Sequence, residues 1–225
     1  MPSERSARLR RPSPSSRTWL FDLDNTLHNA SAHIFPHIGR AMRDYICRHL
    51  DLDETEATRL RQQYWKRYGA TLLGLMRHHD IDPHHFLHHT HQFQDLASMV
   101  IVERGLRNML LRLPGRKIIF SNAPVRYTQA VLAIAGIRNC FSSVYSVEHL
   151  RFQPKPAVQG FLRVLRTEGL DPRACVMVED TLPNLRTAKS LGMKTVWINP
   201  GTRQPPCVDI RIKSVLDLPA RVGRL

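Results

Sequence analysis

Short apolar runs alternate along this chain with stretches whose apolar residues recur every three to four positions, and the alternation begins at Thr18. The runs are "TWLFDLD" (18–24), "KIIFSN" (117–122), "SSVYS" (142–146), "ACVMVED" (174–180) and "KTVWIN" (194–199). Each is too short and too continuously apolar for a strand with one wet face; such runs fit parallel strands covered on both sides. The segments between them carry helical spacing, as in Val131, Leu132 and Ala135, in Phe161, Leu162 and Leu165, and in Leu182, Leu185 and Ala188. Gly136 before Ile137, Gly169 before Leu170 and Gly192 before Met193 read as left-handed helix ends with an apolar clasp. Pro124, Pro156 and Pro183 mark helix starts, where a missing N–H costs nothing. Strand, loop, helix and glycine stop, repeated, predict an α/β protein built on a doubly wound parallel sheet.

Residues 28–105 break this rhythm with helical spacing and no strand-like run. One helix carries Ile38, Met42, Tyr45 and Ile46, and another Leu60, Tyr64, Trp65, Tyr68 and Leu72. Asp53 with Glu56 has the form of a capping pair, and Asp82 before Pro83 opens a further helix. The expected organisation is a basic tail (1–17), an α/β core (18–27 and 106–225) and a helical insertion (28–105).

Composition narrows the function classes. With 42% apolar and 23% charged residues, 225 residues can bury a full core. No window reaches the roughly 20 uninterrupted apolar residues of a membrane span. Cys47, Cys140, Cys175 and Cys207 are widely spaced, which argues against a disulfide framework or a zinc site and for a reducing, cytoplasmic setting. The net charge of +14 invites a polyanionic partner, but the basic residues are spread along the chain rather than clustered with aromatics, so no specific nucleic acid is expected. The exception is the tail, where Arg5, Arg8, Arg10, Arg11 and Arg17 stand among Ser and Pro. That composition reads as disorder, with an organelle transit peptide as the alternative.

Ligands of open parallel sheets bind beyond the carboxyl ends of the strands, so the polar residues just past each apolar run are the ones to weigh. They are Asp22 with Asp24, Ser121 with Asn122, Lys155 ahead of its helix, and Glu179 with Asp180. Two carboxylates at i and i+2 beyond a buried strand are costly unless a cation or a proton compensates them, or unless one merely caps a turn and the other is exposed. A calcium loop would need Gly at 27 and Glu at 33, and the chain has Leu27 and His33.

"FDLDNT", "FSNAP", "QPKP" and "VEDTLPN", in that order, resemble the haloacid dehalogenase-like (HAD) phosphohydrolase superfamily, from Thr18 to about Pro200. The stretch "WLFDLDNTLHNASAHIFPHI" with "FSNAP" and "VEDTLPNL" is most similar to its pyrimidine 5'-nucleotidase branch. The resemblance implies a Rossmann-like core with a helical cap and a Mg²⁺-dependent phosphatase working through an aspartyl-phosphate on a small phosphomonoester. The implied substrate is UMP or CMP, with sugar phosphates or phosphoglycolate as the alternative. By the same resemblance Asp22 is the nucleophile and Asp24 the acid and base, an aspartate that the dehalogenase pattern lacks. Ser121 and Asn122 bind phosphate, and Lys155 balances charge. Asp22, Asp180 and the backbone carbonyl of Asp24 hold the metal, while Glu179 and Asn184 support them from behind. His33, Phe35, His37, Tyr64 and Tyr68 could face a base, but ordinary packing is the expected role of each. The rival from another class is a basic nucleic-acid-associated module without turnover. Seven of the twelve histidines fall within residues 78–91, where His84/His88 and His85/His89 have i, i+4 spacing; a solvated helix face is the expectation there, with adventitious Ni²⁺ or Zn²⁺ binding and no catalysis.

Overall fold

The computed structural model describes residues 17–224. Six strands form one all-parallel sheet in the order β3-β2-β1-β4-β5-β6. They are β1 (Thr18–Phe21), β2 (Arg116–Phe120), β3 (Ser143–Tyr145), β4 (Cys175–Glu179), β5 (Lys194–Ile198) and β6 (Ile210–Ile212). The first five match the apolar runs; Asp22, Ser121, Asn122 and Asp180 stand in the loops just beyond them, while Glu179 is the last residue of β4. Strand β6 was not expected; three residues in "DIRIKS" show too brief an alternation to register, and the strand exists through its pairing with β5.

Successive residues of β1 point to opposite faces, and both faces are covered. Trp19 and Phe21 join Ile119, Val176, Val178 and Leu132 in one buried cluster, whereas Leu20 joins Phe120, Met177, Phe161 and Leu185 in another. The helices that supply this cover are α6 (Leu106–Arg112), α7 (Val125–Ile134), α8 (Val158–Glu168) and α9 (Leu182–Ser190). Gly136, Gly169 and Gly192 have φ of 65°, 63° and 92°, the left-handed helix exits that their spacing predicts. The proline markers hold less uniformly. Pro183 lies in the first turn of α9, but Pro124 is the residue before α7 and Pro156 precedes Ala157, the N-cap of α8.

Between β1 and β2 lie α1 (Ile34–Leu50), α2 (Glu54–Tyr68), α3 (Thr71–His79), α4 (Pro83–Thr90) and the single turn α5 (Leu96–Met99). Asp53 and Glu56 make the reciprocal capping box and Asp82 caps α4. The expected helix running from Leu60 to Leu72 is broken at Gly69 (φ 79°), so Leu72 belongs to α3, and Trp65 is 63% exposed rather than packed. Tyr45, Ile46, Ala57, Tyr64, Leu75 and Phe86 form this layer's own core. Helix α1 also contributes Ile34 and Ile38 to the cluster under the sheet.

The expected tail lies outside the described residues except for Arg17, which is buried and whose carbonyl accepts from the Arg116 N–H at 3.1 Å. Among the described residues no helix is long and apolar enough to cross a membrane.

Candidate active site

From β1 the chain winds outward to β2 and β3, then returns to the other flank of β1 to lay down β4, β5 and β6. The winding therefore reverses between β1 and β4. Their carboxyl ends flank the crevice where an open α/β sheet binds its ligands. Asp22 follows β1 directly, its N–H still paired to the Val178 carbonyl at 3.0 Å. Glu179 closes β4, and Asp180 follows it.

Lys155 is the centre of this crevice. Its side chain is 1% exposed, and its Nζ donates to Asp22 Oδ1 at 2.7 Å and stands 3.6 Å from Glu179 Oε2. Burial alone would push this ammonium down, but Asp22 and Glu179 outweigh it and hold the lysine charged, above its ordinary value. The Asn122 side chain sets the lysine's position. Its Oδ1 accepts from the Lys155 N–H and its Nδ2 donates to the Lys155 carbonyl, both at 2.8 Å. A carboxamide offers one donor and one acceptor, as a peptide group does, which is why Asn suits this place. The Asn122 side chain is thus committed to the Lys155 backbone, and the phosphate contact expected at this position is one of its main chain.

Asp22, Glu179 and Asp180 bring carboxylate oxygens within 4.8 Å of one another. Glu179, expected behind the metal ligands, is a member of this trio, and the Asn184 amide donates to its Oε1. Its Oε2 is buried without a hydrogen-bond partner. Burial first, then the charge of Asp22, raises the Glu179 carboxyl well above the ordinary carboxylate range despite Lys155. The same two causes push Asp180 up to about 6. Three acids against one lysine leave an excess of buried negative charge in hard oxygen donors, the chemistry that suits Mg²⁺.

Asp24 stands apart from the trio. Its Oδ1 accepts from Tyr127 Oη at 2.6 Å and from His28 Nε2 at 2.9 Å. His28 is buried and its Nδ1 has no partner, so Nε2 carries the proton that faces the carboxylate. Neither partner was named from the sequence. His28 lies within the quoted stretch that begins at Trp19, but Tyr127 is 103 residues from Asp24 and only the fold joins them. His91 is half-buried, and desolvation lowers its pKa to about 4 although Asp24 acts against the change.

Ser121 is 1% exposed; its Oγ accepts from the Ala123 N–H at 3.0 Å and keeps its own proton to donate. The start of α7 differs from expectation. The Val125 N–H donates to both oxygens of Glu148 at 3.1 and 3.0 Å, so a carboxylate already caps that end. The cap residues that could face a base divide by contact. Tyr64 and Tyr68 pack within the cap, their hydroxyls 2.7 Å from His79 and His78. His33 and Phe35 are exposed. His37 stacks on Phe93 with ring centroids 4.8 Å apart, and the two line a crevice of about 640 Å³. The ring centroid of Phe93 also lies 5.6 Å from that of Tyr127.

The cap touches the lysine loop directly. A Cβ at Gly69 would come within 2.7 Å of Pro156 Cδ, so only a glycine allows the α2–α3 turn to sit this close to Lys155.

The chain is similar to known proteins in sequence and fold. The chain is 26% identical over 199 residues to Phosphate metabolism protein 8 of Saccharomyces cerevisiae, covering 81% of this chain and 61% of the yeast protein. Phosphoglycolate phosphatase of Pseudomonas putida is 24% identical over 218 residues, covering 91% of this chain and 77% of that one. Among solved structures, a HAD phosphatase from Thermococcus onnurineus superposes with a TM-score of 0.66 at 23% identity, over 92% of this chain and 98% of that one. Residues 17–192 match the family described as haloacid dehalogenase-like hydrolase, a span holding every residue of the crevice from Asp22 to Asn184. The sheet that brings a strand-end aspartate, a buried lysine and an acid pair together is accordingly a HAD core, and this chain belongs to the haloacid dehalogenase-like hydrolase family.

Proposed function

We propose that this protein is a phosphatase that hydrolyses small phosphomonoesters through an aspartyl-phosphate on Asp22, with pyrimidine nucleoside 5'-monophosphates as its substrates. The observation that carries the reading is the division of labour between the two aspartates: Asp22 is bound to Lys155, while Asp24 is held separately by Tyr127 and His28.

With Oδ1 of Asp22 engaged by Lys155, its other oxygen attacks phosphorus and the ester bond breaks. Asp24 gives a proton to the departing alkoxide, then takes one from the water that hydrolyses the acyl phosphate and frees Asp22, a role worth typically ~10²–10⁴-fold in rate. Ser121 and nearby backbone N–H groups donate to the phosphoryl oxygens. Asp22, Asp180 and the Asp24 carbonyl, with Glu179 and Asn184 beside them, would hold a Mg²⁺ ion, which would supply charge neutralisation between anionic nucleophile and anionic ester. The excess of acids over lysine in the crevice supports that assignment.

The resemblance of the first loop to the nucleotidase branch supports the pyrimidine substrate. So does the crevice lined by Phe93 and His37, one aromatic ring from the Tyr127 that holds Asp24; a planar base can lie on such rings and bond the carboxamides of Gln92 and Gln94. The relative named as a phosphoglycolate phosphatase favours a second reading, a small organic phosphate. Steady-state kinetics with Mg²⁺ on CMP, UMP, AMP, hexose phosphates and phosphoglycolate separates the two. Turnover of CMP and UMP no faster than that of the others ends the nucleotidase reading. Asp22→Asn is expected to abolish phosphate release without unfolding the protein, and EDTA to abolish it reversibly. Release by folded Asp22→Asn at the wild-type rate ends the phosphatase mechanism.

A further inference from the structure

The histidine-rich part of the cap takes no share in this chemistry, and its seven members separate by partner. His78 and His79 bond tyrosine hydroxyls, and His84 stands edge-on to Phe152 at 4.9 Å. His88 is 3.0 Å from the Gln92 amide, and His91 turns toward Tyr127. The two that remain, His85 and His89, lie one turn apart on α4 with ring centroids 4.3 Å apart. Across from them on α1 is His49, whose ring centroid is 5.3 Å from that of His85. All three are exposed. Two imidazoles on one tetrahedral Zn²⁺, with Zn–N bonds of roughly 2.0–2.1 Å, place their ring centroids about 5 Å apart.

Tyr45 orients two of these rings. Its hydroxyl is 2.7 Å from His85 Nδ1, its carbonyl accepts from His49 Nδ1 at 2.9 Å, and its ring stacks on His49 at 3.9 Å. One buried residue thus engages the Nδ1 of both imidazoles, leaving each Nε2 free. A hydrogen bond on the far nitrogen is what fixes tautomer and aim in metal-binding histidines. Desolvation, then neighbouring His85, His88, Arg48 and His49, hold the His89 ring below its ordinary value.

We propose that His49, His85 and His89 form a second metal site, for a d-block divalent cation such as Zn²⁺, which ties α4 to α1 on the cap and is separate from the acidic crevice. Imidazole donors favour such ions over Mg²⁺. Among the described residues only the acidic trio already converges on a point, so the histidine site closes by rotation of the exposed His89 side chain, with water completing the shell.

The test is Zn²⁺ titration of the full chain in Mg²⁺ buffer against a chromogenic chelator, with melting curves in parallel. One Zn²⁺ per chain is expected to survive Asp180→Asn, while His85→Ala, His89→Ala and His49→Ala each weaken its binding at least 10-fold and His84→Ala leaves it unchanged. Should an alanine variant fold poorly, His89→Gln gives the same reading: its metal-free melting temperature matches wild type and its Zn²⁺-dependent rise is lost. The proposal is overturned if binding disappears with Asp180→Asn alone, if His49→Ala binds as wild type does, or if His84→Ala weakens binding as much as His85→Ala.

Discussion

Asp180→Asn is expected to stabilise the metal-free protein at neutral pH while destroying its activity. In the fold, burial and the charge of Asp22 raise the Asp180 carboxyl from 3.8 to about 6. At roughly 1.4 kcal/mol per pH unit, that displacement means the ionised group costs about 3 kcal/mol of stability above pH 6. The sign follows from proton counting. Between pH 3.8 and about 6 the folded chain holds a proton on Asp180 that the unfolded chain has lost. Stability from this group is complete below pH 3.8 and is lost as pH rises through about 6. An amide has nothing to titrate, so the variant should lack that decline and gain about 6–12 °C in melting temperature at pH 7.5 in EDTA, at ~2–4 °C per kcal/mol for a chain of this size. Urea denaturation at pH 4, 5, 6 and 7.5, with EDTA or Mg²⁺, measures it. Mg²⁺ should stabilise wild type much more than the variant. If Asp180→Asn lowers metal-free stability at pH 7.5, or keeps the wild-type dependence between pH 4 and 6, the account of the crevice as a store of uncompensated negative charge is wrong.

Three further substitutions probe the supports of the site. Asn122→Ala removes both hydrogen bonds that hold the Lys155 backbone and should cost about 1–3 kcal/mol in urea denaturation, with kcat falling more than KM rises. Tyr127→Phe strips one donor from Asp24 and should lower kcat about 10-fold, against ~10²–10⁴-fold for Asp24→Asn; equal losses in the two would deny Asp24 its proton-transfer role. Gly69→Ala forces a side chain into a left-handed position and against Pro156. It should cost about 1–2 kcal/mol from the backbone alone and raise KM, read from melts and steady-state kinetics.

What the sequence revealed and what it withheld have a common cause. Buried strands and glycine exits are written locally, so β1 to β5 and the ends at Gly136, Gly169 and Gly192 could be read from runs of a few residues. The four polar groups past the strand ends could be read because the fold class itself says where to look. Strand β6 escaped because an edge strand of three residues depends on its neighbour for its identity. Ranking Asp180 ahead of Glu179 misses that both enter the carboxylate trio, which depends on where β4 stops. Tyr127 and His28 reach Asp24 through α7 and the first loop, a meeting of distant segments with no local trace. His91 shows the reverse, a residue read as part of a solvated face that the structure half-buries against Tyr127.

Helix α1 gives its first turns, Ile34 and Ile38, to the hydrophobic cluster under the sheet and its last turns, Tyr45 and Ile46, to the core of the cap. A single 17-residue rod is therefore common property of both layers. Neither layer can melt without stripping apolar cover from the other, so heat or urea should take the whole molecule apart in one cooperative step. Any swing of the lid over the crevice must then pivot on this rod's two ends, with the rod itself carried along intact.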